Sequence, residues 1–149
     1  MYAMKELKLQ KSVTLQADSM RVWDVLTKPE LTKKYMFGCE VVSEWKVGSP
    51  IVWKGVSEGK EKVFVKGTIE KIEFGKLLQF TTFDPNAKYR DVPSNYVTTT
   101  YELTPKLGKT VLSVTEGDFS HVEDGPKRYA DSAGGWDQVL SGIKALVEK

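Results

Sequence analysis

The stretch "PKRYADSAGGWDQVLSGIKALVE", Pro126 to Glu148, decides how the rest of the chain must fold. Apolar and aromatic side chains recur in it every three or four residues, which is the spacing of one face of an α-helix. They are Tyr129, Ala133, Trp136, Leu140, Ile143 and Val147. Asp124 is placed to cap this helix and Pro126 suits its first turn. A helix over these residues is about 34 Å long, so its apolar stripe needs an equally long apolar partner.

Glycines lie inside this helix, although a glycine costs about 1 kcal/mol relative to alanine in a helix interior. On a helical wheel Gly134 falls nearly opposite Trp136, so we expect it to face solvent and to loosen or restart the helix. Gly135 and Gly142 share one flank of the helix. On that flank we expect either a close approach of two backbones or space for a ligand.

The partner of the helix is predicted to be an antiparallel meander of strands. Short turns that contain glycine, such as "KVGSP" and "PKLGK", separate these strands and suit hairpin connections. The predicted strands comprise residues 39–45, 49–56, 61–73, 76–84, 95–104 and 109–119. Only residues 84–94, "DPNAKYRDVPS", form a long polar connection, which is typical of an Ω loop or a lid.

The N-terminal part of the chain predicts one more strand and two short helices. Apolar residues alternate over residues 5–15, which indicates a half-buried strand. Asp18 or Ser19 can cap a first helix, and Pro29 opens a second. The whole chain, residues 1–149, is therefore predicted to be a single α+β domain in which a curved sheet grips the final helix.

Composition excludes several classes of function. The chain has 22 basic and 20 acidic residues, interspersed and with a formal net charge of +2, so no nucleic-acid partner is expected. No apolar run reaches the roughly 18 residues that a membrane span needs, and "MYAMKELKLQK" lacks the apolar stretch of a signal peptide. We expect no membrane association and a cytoplasmic location. With one cysteine, Cys39, and one histidine, His121, neither a disulfide nor a metal or other cofactor is expected.

Four motifs, in this order along the chain, resemble those of a known protein family. They are "RVWDVLTKPELTKKYM" (Arg21 to Met36), "WKVGSPIVWKG" (Trp45 to Gly55), "GKLLQFTTF" (Gly75 to Phe83) and "GGWDQVLSGIKAL" (Gly134 to Leu146). They are similar to the helix pair, turn, strand and closing helix of bacterial proteins like the activator of the heat-shock protein 90 ATPase (AHSA-type). These belong to the SRPBCC, or START/Bet v 1-like, superfamily. The resemblance implies the helix-grip fold, with about seven antiparallel strands wrapped on a long C-terminal helix and two short helices after the first strand.

Alternation along the strands predicts which side chains face a cavity under the final helix. The predicted cavity residues are Ile51, Trp53, Phe80, Thr82, Val97, Thr99, Tyr101, Leu112, Val114 and Glu116, with Trp136 and Leu140 from the helix. The same alternation brings Asp118 to this side. A carboxylate there either faces the cavity, where it needs a partner or a raised pKa, or lies solvated at the rim of the sheet. The aromatic residues either contact a ligand or fill the core.

Three functions are compatible with these features. The first is a non-enzymatic protein that binds a small hydrophobic molecule in a cavity of more than about 300 Å³. The family resemblance implies the second, an interaction protein that contacts a chaperone ATPase through the short helix pair and residues 84–94. The third, also implied by the family, is a polyketide cyclase-like enzyme. It would use Glu116, Asp118 or His121 as acid or base, and these side chains would have to converge within hydrogen-bonding reach.

Overall fold

The computed structural model describes residues 6–148, and within them seven strands form one antiparallel sheet. The strands are β1 (Leu9–Leu15), β2 (Glu40–Ser43), β3 (Pro50–Ser57), β4 (Lys60–Glu73), β5 (Leu77–Thr82), β6 (Val97–Lys106) and β7 (Lys109–Gly117). Their order across the sheet is β1-β7-β6-β5-β4-β3-β2. Strands β2 to β7 therefore form the predicted meander, and β1 pairs with β7 at the other edge.

Three α-helices accompany the sheet in the described part of the chain: α1 (Ser19–Thr27), α2 (Pro29–Thr32) and α3 (Gly125–Val147). A short 3-10 turn, Pro93–Asn95, precedes β6. The cap of α1 is Asp18, whose carboxylate accepts a hydrogen bond from the Arg21 amide at 2.8 Å. This arrangement of a curved sheet around a C-terminal helix confirms the α+β, helix-grip fold.

The main core lies between the inner face of the sheet and α3. Cross-strand pairs on this face place Tyr101 opposite both Leu78 and Val114, and Leu103 opposite Leu112. From α3 the core receives the buried side chains Trp136, Val139, Leu140, Ile143 and Val147. Each cross-strand pair buries apolar surface from two strands at once. This burial stabilises the sheet by about 25 cal/mol for each Å² of apolar surface removed from water.

Some element boundaries differ from the prediction. Strand β7 ends at Gly117, two residues before the predicted end, because its pairing with β6 stops there. The first strand begins at Leu9 rather than at residue 5, and Lys5 itself lies outside the described residues. These differences move Asp118 out of the sheet, which matters for the site.

The N-cap position of α3 is the one predicted, but the expected capping hydrogen bond is absent. Asp124 occupies the N-cap position, but its backbone is left-handed, with φ of 55°, and its side chain makes no capping hydrogen bond. Its carboxylate instead accepts a hydrogen bond from the Tyr89 hydroxyl at 3.0 Å. The hydrogen bond from Tyr89, which belongs to residues 84–94, thus replaces the capping hydrogen bond within the helix. Pro126 lies in the first turn, as predicted.

The glycines of α3 have different surroundings. The helix continues through Gly134 without a break, so the predicted restart there is wrong, although the open space beside Gly134 agrees with a position facing solvent. A Cβ at Gly135 would also meet nothing within 4 Å, so the close approach predicted for it does not occur. At Gly142 a Cβ would lie only 2.8 Å from the Cβ of Tyr35. Gly142 therefore permits the close packing of α3 against the segment after α2.

Alanine substitutions at these glycines should change stability in opposite directions. Gly134→Ala should raise the free energy of unfolding by up to about 1 kcal/mol, because it improves helix propensity and meets no neighbour. Gly142→Ala should lower it, because the new methyl group overlaps Tyr35, whose hydroxyl is anchored to the Val25 carbonyl at 2.7 Å. Urea unfolding measures both effects, with Gly135→Ala as a second surface control. A Gly142→Ala protein as stable as Gly134→Ala would contradict the assigned packing.

Candidate functional site

An apolar cavity of about 140 Å³ lies between the inner face of the sheet and α3. We call it the inner chamber. It is lined by Met36, Trp53, Val65, Phe80, Thr82, Thr99, Tyr101, Glu116 and Trp136. Its volume is below the predicted size, but it is close to that of an engineered cavity of about 150 Å³ that accepts benzene. The inner chamber therefore has room for a molecule built around one aromatic ring.

Four of the nine residues that line the inner chamber are aromatic. The ring centroids of Trp53 and Phe80 are 5.0 Å apart. Phe80 meets Tyr101 edge-on at 5.6 Å, and Tyr101 meets Trp136 edge-on at 5.8 Å. Such edge-to-face contacts stabilise the rings against one another and fix their orientations. The four rings thus form one connected series along the wall of the cavity.

A second, larger pocket of about 590 Å³ adjoins the inner chamber and opens to solvent. We call it the outer cleft. It shares Val65, Thr82 and Glu116 with the inner chamber, so the two pockets lie side by side. Its other lining residues are Phe37, Phe83, Asp84, Ala87, Tyr89, Val97, Phe119, Lys127, Arg128, Asp131 and Ser132. The outer cleft thus combines charged and aromatic side chains next to the apolar chamber.

Glu116 is the charged residue where the two pockets meet. It lies on β7 opposite Thr99 of β6, and it is only 7% exposed. Its carboxylate accepts hydrogen bonds from the Thr99 hydroxyl at 2.6 Å, from the Trp136 indole at 3.3 Å and from the Ser132 hydroxyl. Both carboxylate oxygens of Glu116 therefore accept hydrogen bonds from neutral side chains. The cluster also ties α3 to both strands.

The charge of Glu116 affects its aromatic neighbour Tyr101. Burial raises the pKa of the Tyr101 hydroxyl well above its usual range, and the nearby negative charge of Glu116 raises it further. Both causes disfavour a second negative charge at this buried position. Tyr101 is therefore held in its neutral form at the wall of the inner chamber.

Asp118 and His121 are not part of the inner chamber. Because β7 ends at Gly117, the prediction that Asp118 continues the inner face is wrong. Its carboxylate accepts hydrogen bonds from the Ser120 amide at 2.8 Å and the Leu7 amide at 2.9 Å, which lower its pKa. His121 is exposed in the following loop. Within residues 6–148 no hydrogen bond joins either side chain to Glu116, so the convergence that the enzyme hypothesis needs is not met.

The other predicted cavity residues divide into three groups. Those that line the inner chamber are Trp53, Phe80, Thr82, Thr99, Tyr101, Glu116 and Trp136. Val97 lines the outer cleft. The remaining four, Ile51, Leu112, Val114 and Leu140, are buried in the packed core and line neither pocket. Ile51, Leu112 and Val114 face the same side of the sheet as the chamber residues, and Leu140 packs onto them from α3, but all four belong to the close-packed core.

Sequence reasoning missed Met36, Val65 and Ser132. Met36 follows α2 in a segment without a periodic pattern, so nothing local indicates its direction. Val65 lies on β4 where the pairing with β3 shifts register beside Trp53, and the whole stretch is half-buried, so alternation gives no clear side. Ser132 could have been found, because it precedes Trp136 by four residues and such residues share one helix face.

Residues 84–94 form one wall of the outer cleft and are tied to the start of α3 by Asn95. The buried Asn95 amide donates to the Arg90 carbonyl at 2.9 Å and to the Glu123 carboxylate at 3.1 Å. In return its side-chain oxygen accepts from the Glu123 amide at 3.1 Å. Arg128 donates to the Asn95 carbonyl at 2.8 Å. These hydrogen bonds hold the loop beside the cleft.

Cys39 and the acidic residues show no sign of a metal site. Among residues 6–148 no group of three or more His, Cys, Asp or Glu side chains could hold a metal ion. Burial raises the pKa of the Cys39 thiol, which disfavours the reactive thiolate form. In the same residues, no helix is both long enough and apolar enough to span a membrane.

The chain is similar to known proteins in sequence and in fold. A family model described as "Activator of Hsp90 ATPase homolog 1-like protein" matches residues 16–148. A solution structure of a protein from Cytophaga hutchinsonii has 35% identity and a TM-score of 0.78, and the match covers 99% of this chain and 97% of that one. No curated protein matches the chain.

Two further solved structures are similar in fold alone. The solution structure of the Aha1 dimer from Colwellia psychrerythraea has 16% identity and a TM-score of 0.72, with 95% of this chain and 96% of that chain covered. The crystal structure of CalU16 from Micromonospora echinospora has 14% identity and a TM-score of 0.70, with 94% and 75% covered.

The raised pKa of Tyr101 predicts a loss of stability at alkaline pH that Tyr101→Phe should reduce. An unfolded tyrosine has a pKa of about 10, so above that pH the unfolded chain loses this proton first and the free energy of unfolding falls. Below about pH 9 both states keep the proton, and the contribution is complete. Phenylalanine carries no such proton, so between about pH 9.5 and 11 the variant should lose up to about 1.4 kcal/mol less per pH unit.

Urea unfolding of both proteins over this pH range measures the effect. Tyr35 is present in both proteins, and because burial is the main cause of its raised pKa, most of its contribution cancels in the difference. Below about pH 9 the difference between the unfolding free energies of the wild-type and Tyr101→Phe proteins should not change with pH. Parallel curves up to pH 11 would show that Tyr101 titrates alike in the folded and unfolded protein.

Proposed function

This chain belongs to the family of activator of Hsp90 ATPase homolog 1-like proteins, and we propose that it binds a small hydrophobic molecule in the inner chamber. Members of this fold family commonly bind hydrophobic ligands. The observation that carries the proposal is the aromatic wall formed by Trp53, Phe80, Tyr101 and Trp136 around an apolar space. Ligand sites typically combine such walls with a few polar groups that orient the ligand, and Glu116 with its partners supplies these.

The rigidity of the wall favours binding. The rings of the inner chamber contact one another in fixed orientations, and buried Phe80 and Tyr101 lie on neighbouring paired strands. A preformed site loses little conformational entropy when a ligand binds. The ligand would gain about 25 cal/mol for each Å² of apolar surface that it removes from water. The outer cleft provides the route from solvent, past Val65 and Thr82.

Narrowing this route tests the proposal. Val65→Phe adds a ring where the inner chamber meets the outer cleft, so it should weaken the binding of a neutral one-ring probe, such as toluene or benzyl alcohol, by about tenfold or more. Val56→Phe is the matched control, because Val56 lies on the neighbouring strand β3 but is 73% exposed. NMR titration of the tryptophan indole signals measures both, and native mass spectrometry of the purified protein would detect a co-purified molecule.

A wild-type protein whose Trp53 and Trp136 signals do not respond to either probe would refute the proposal. Equal binding by the Val65→Phe and Val56→Phe proteins would place the probe outside the inner chamber.

A second candidate function is contact with a chaperone ATPase, as the family description suggests. The observation in its favour is Phe37, which follows α2 and is 65% exposed. Its backbone is left-handed, with φ of 53°, a conformation that bulky residues rarely adopt and that often marks functional positions. Phe37 lines the outer cleft together with Ala87 and Tyr89, so the helix pair and residues 84–94 share one surface.

Phe37→Ser tests this second function. If the surface contacts a chaperone, the variant should stimulate the ATPase of the organism's own Hsp90-type chaperone several-fold less than the wild type, because an exposed aromatic anchor is lost. Val47→Ser is the control, since Val47 is 67% exposed between β2 and β3. Absence of stimulation and of binding by the wild-type protein would dismiss the function, and equal stimulation by both variants would dismiss the surface.

A further inference from the structure

Glu116 is unusual in the inner chamber because no cation accompanies it. The ion pairs among residues 6–148 do not include Glu116, and its hydrogen-bond partners Thr99, Ser132 and Trp136 are all neutral. A buried carboxylate is costly to keep away from water unless it is paired, and neutral donors compensate only part of that cost. The chamber therefore holds a negative charge without a counter-charge.

The two basic residues that line the outer cleft, Lys127 and Arg128, have other partners. The Lys127 ammonium group lies 2.7 Å from the Asp131 carboxylate. Arg128 donates to the Asn95 carbonyl at 2.8 Å, and its guanidinium lies 4.8 Å from the centre of the Tyr89 ring. Neither side chain forms an ion pair with Glu116. A counter-charge could thus come from the ligand.

The carboxylate retains capacity for such a ligand. One of its oxygens, Oε1, accepts from Ser132 and Trp136, whereas Oε2 accepts only from Thr99. A carboxylate offers about four acceptor positions, so one is left. Because Glu116 lines both pockets, a donor in either can approach the carboxylate.

The aromatic wall suits the same ligand. Ring faces attract cations within about 6 Å of their centres, and a cage of aromatic rings is a common way to bind an organic ammonium group. Trp53, Phe80, Tyr101 and Trp136 surround the chamber that Glu116 borders. The lining of the outer cleft includes three carboxylates, Asp84, Asp131 and Glu116, against two cations, so it does not repel a positive charge.

We propose that the inner chamber is selective for a small organic cation, an ammonium group attached to an apolar body of about one ring. In this arrangement the nitrogen lies against Glu116 and the apolar body contacts the aromatic rings. The inference rests on the proposed binding function and adds the chemical class of the ligand. A neutral ligand of the same shape would leave the charge of Glu116 unpaired, and an anion would be repelled by it.

Three probes of nearly equal shape test the inference: benzylamine, which is a cation at neutral pH, benzyl alcohol, which is neutral, and benzoate, which is an anion. Isothermal titration or NMR titration should show that the wild-type protein binds benzylamine about tenfold or more tightly than benzyl alcohol, with benzoate weakest. In Glu116→Gln the preference for benzylamine should fall to about twofold or less. The amide keeps the shape of the side chain and removes its charge.

Asp137→Asn is the matched control. It removes one negative charge from the same helix, but Asp137 is exposed, pairs with Lys11 and lines neither pocket. This variant should keep the wild-type preference for benzylamine. Loss of the preference in both variants would show that net charge, not Glu116, attracts the cation, and would overturn the inference.

The remaining outcomes separate the two proposals. Equal wild-type binding of benzylamine and benzyl alcohol would overturn the cation preference and leave the binding function intact. Binding of none of the three probes would count against both. A Glu116→Gln protein that retains the preference would overturn the role of Glu116. If this variant does not fold, the order of the three wild-type affinities still decides whether the chamber prefers a cation.

Discussion

The apolar stripe of α3 has to be buried against the inner face of the sheet, and this constraint organises the molecule. The two halves of α3 pack differently on the sheet. In the C-terminal half, Ile143 and Val147 are buried in the core, and Gly142 brings the helix close to Tyr35. In the N-terminal half, Trp136 spans a gap above the sheet, and the preceding turns border the outer cleft. One helix thus closes one end of the core and leaves the other open.

The position of Glu116 follows from the same geometry. Its place opposite Thr99 puts its carboxylate under the open half of α3, where Ser132 and Trp136 reach it. The hydrogen bonds compensate part of the cost of burial and connect the helix to β6 and β7. The group that holds the N-terminal half of α3 on the sheet is therefore also the main polar feature of the cavity, so binding and local stability are linked.

Much of the site could be predicted because strands alternate. The spacing from Leu112 through Val114 to Glu116 places all three on the inner face, and the structure agrees. The same rule failed at Asp118, since alternation holds only while the strand continues and pairing stops at Gly117. It also could not separate Leu112, which is covered, from Glu116, which borders the cavity. Which inner residues are covered depends on the side chains opposite them, and local sequence does not contain that information.

The sequence by itself determined the order of the elements, the apolar faces of α3 and of the strands, and hence the α+β fold, because hydrophobic periodicity and turn residues act locally along the chain. Only the tertiary structure decided where packing is incomplete and what borders the gap. Met36 lines the chamber from a segment without periodicity, and Val65 lines it where the strand register shifts. The Asp124 carboxylate accepts a hydrogen bond from Tyr89 and does not cap the helix. Each of these contacts joins residues that are distant in sequence, so it depends on how the helix and the sheet pack in three dimensions.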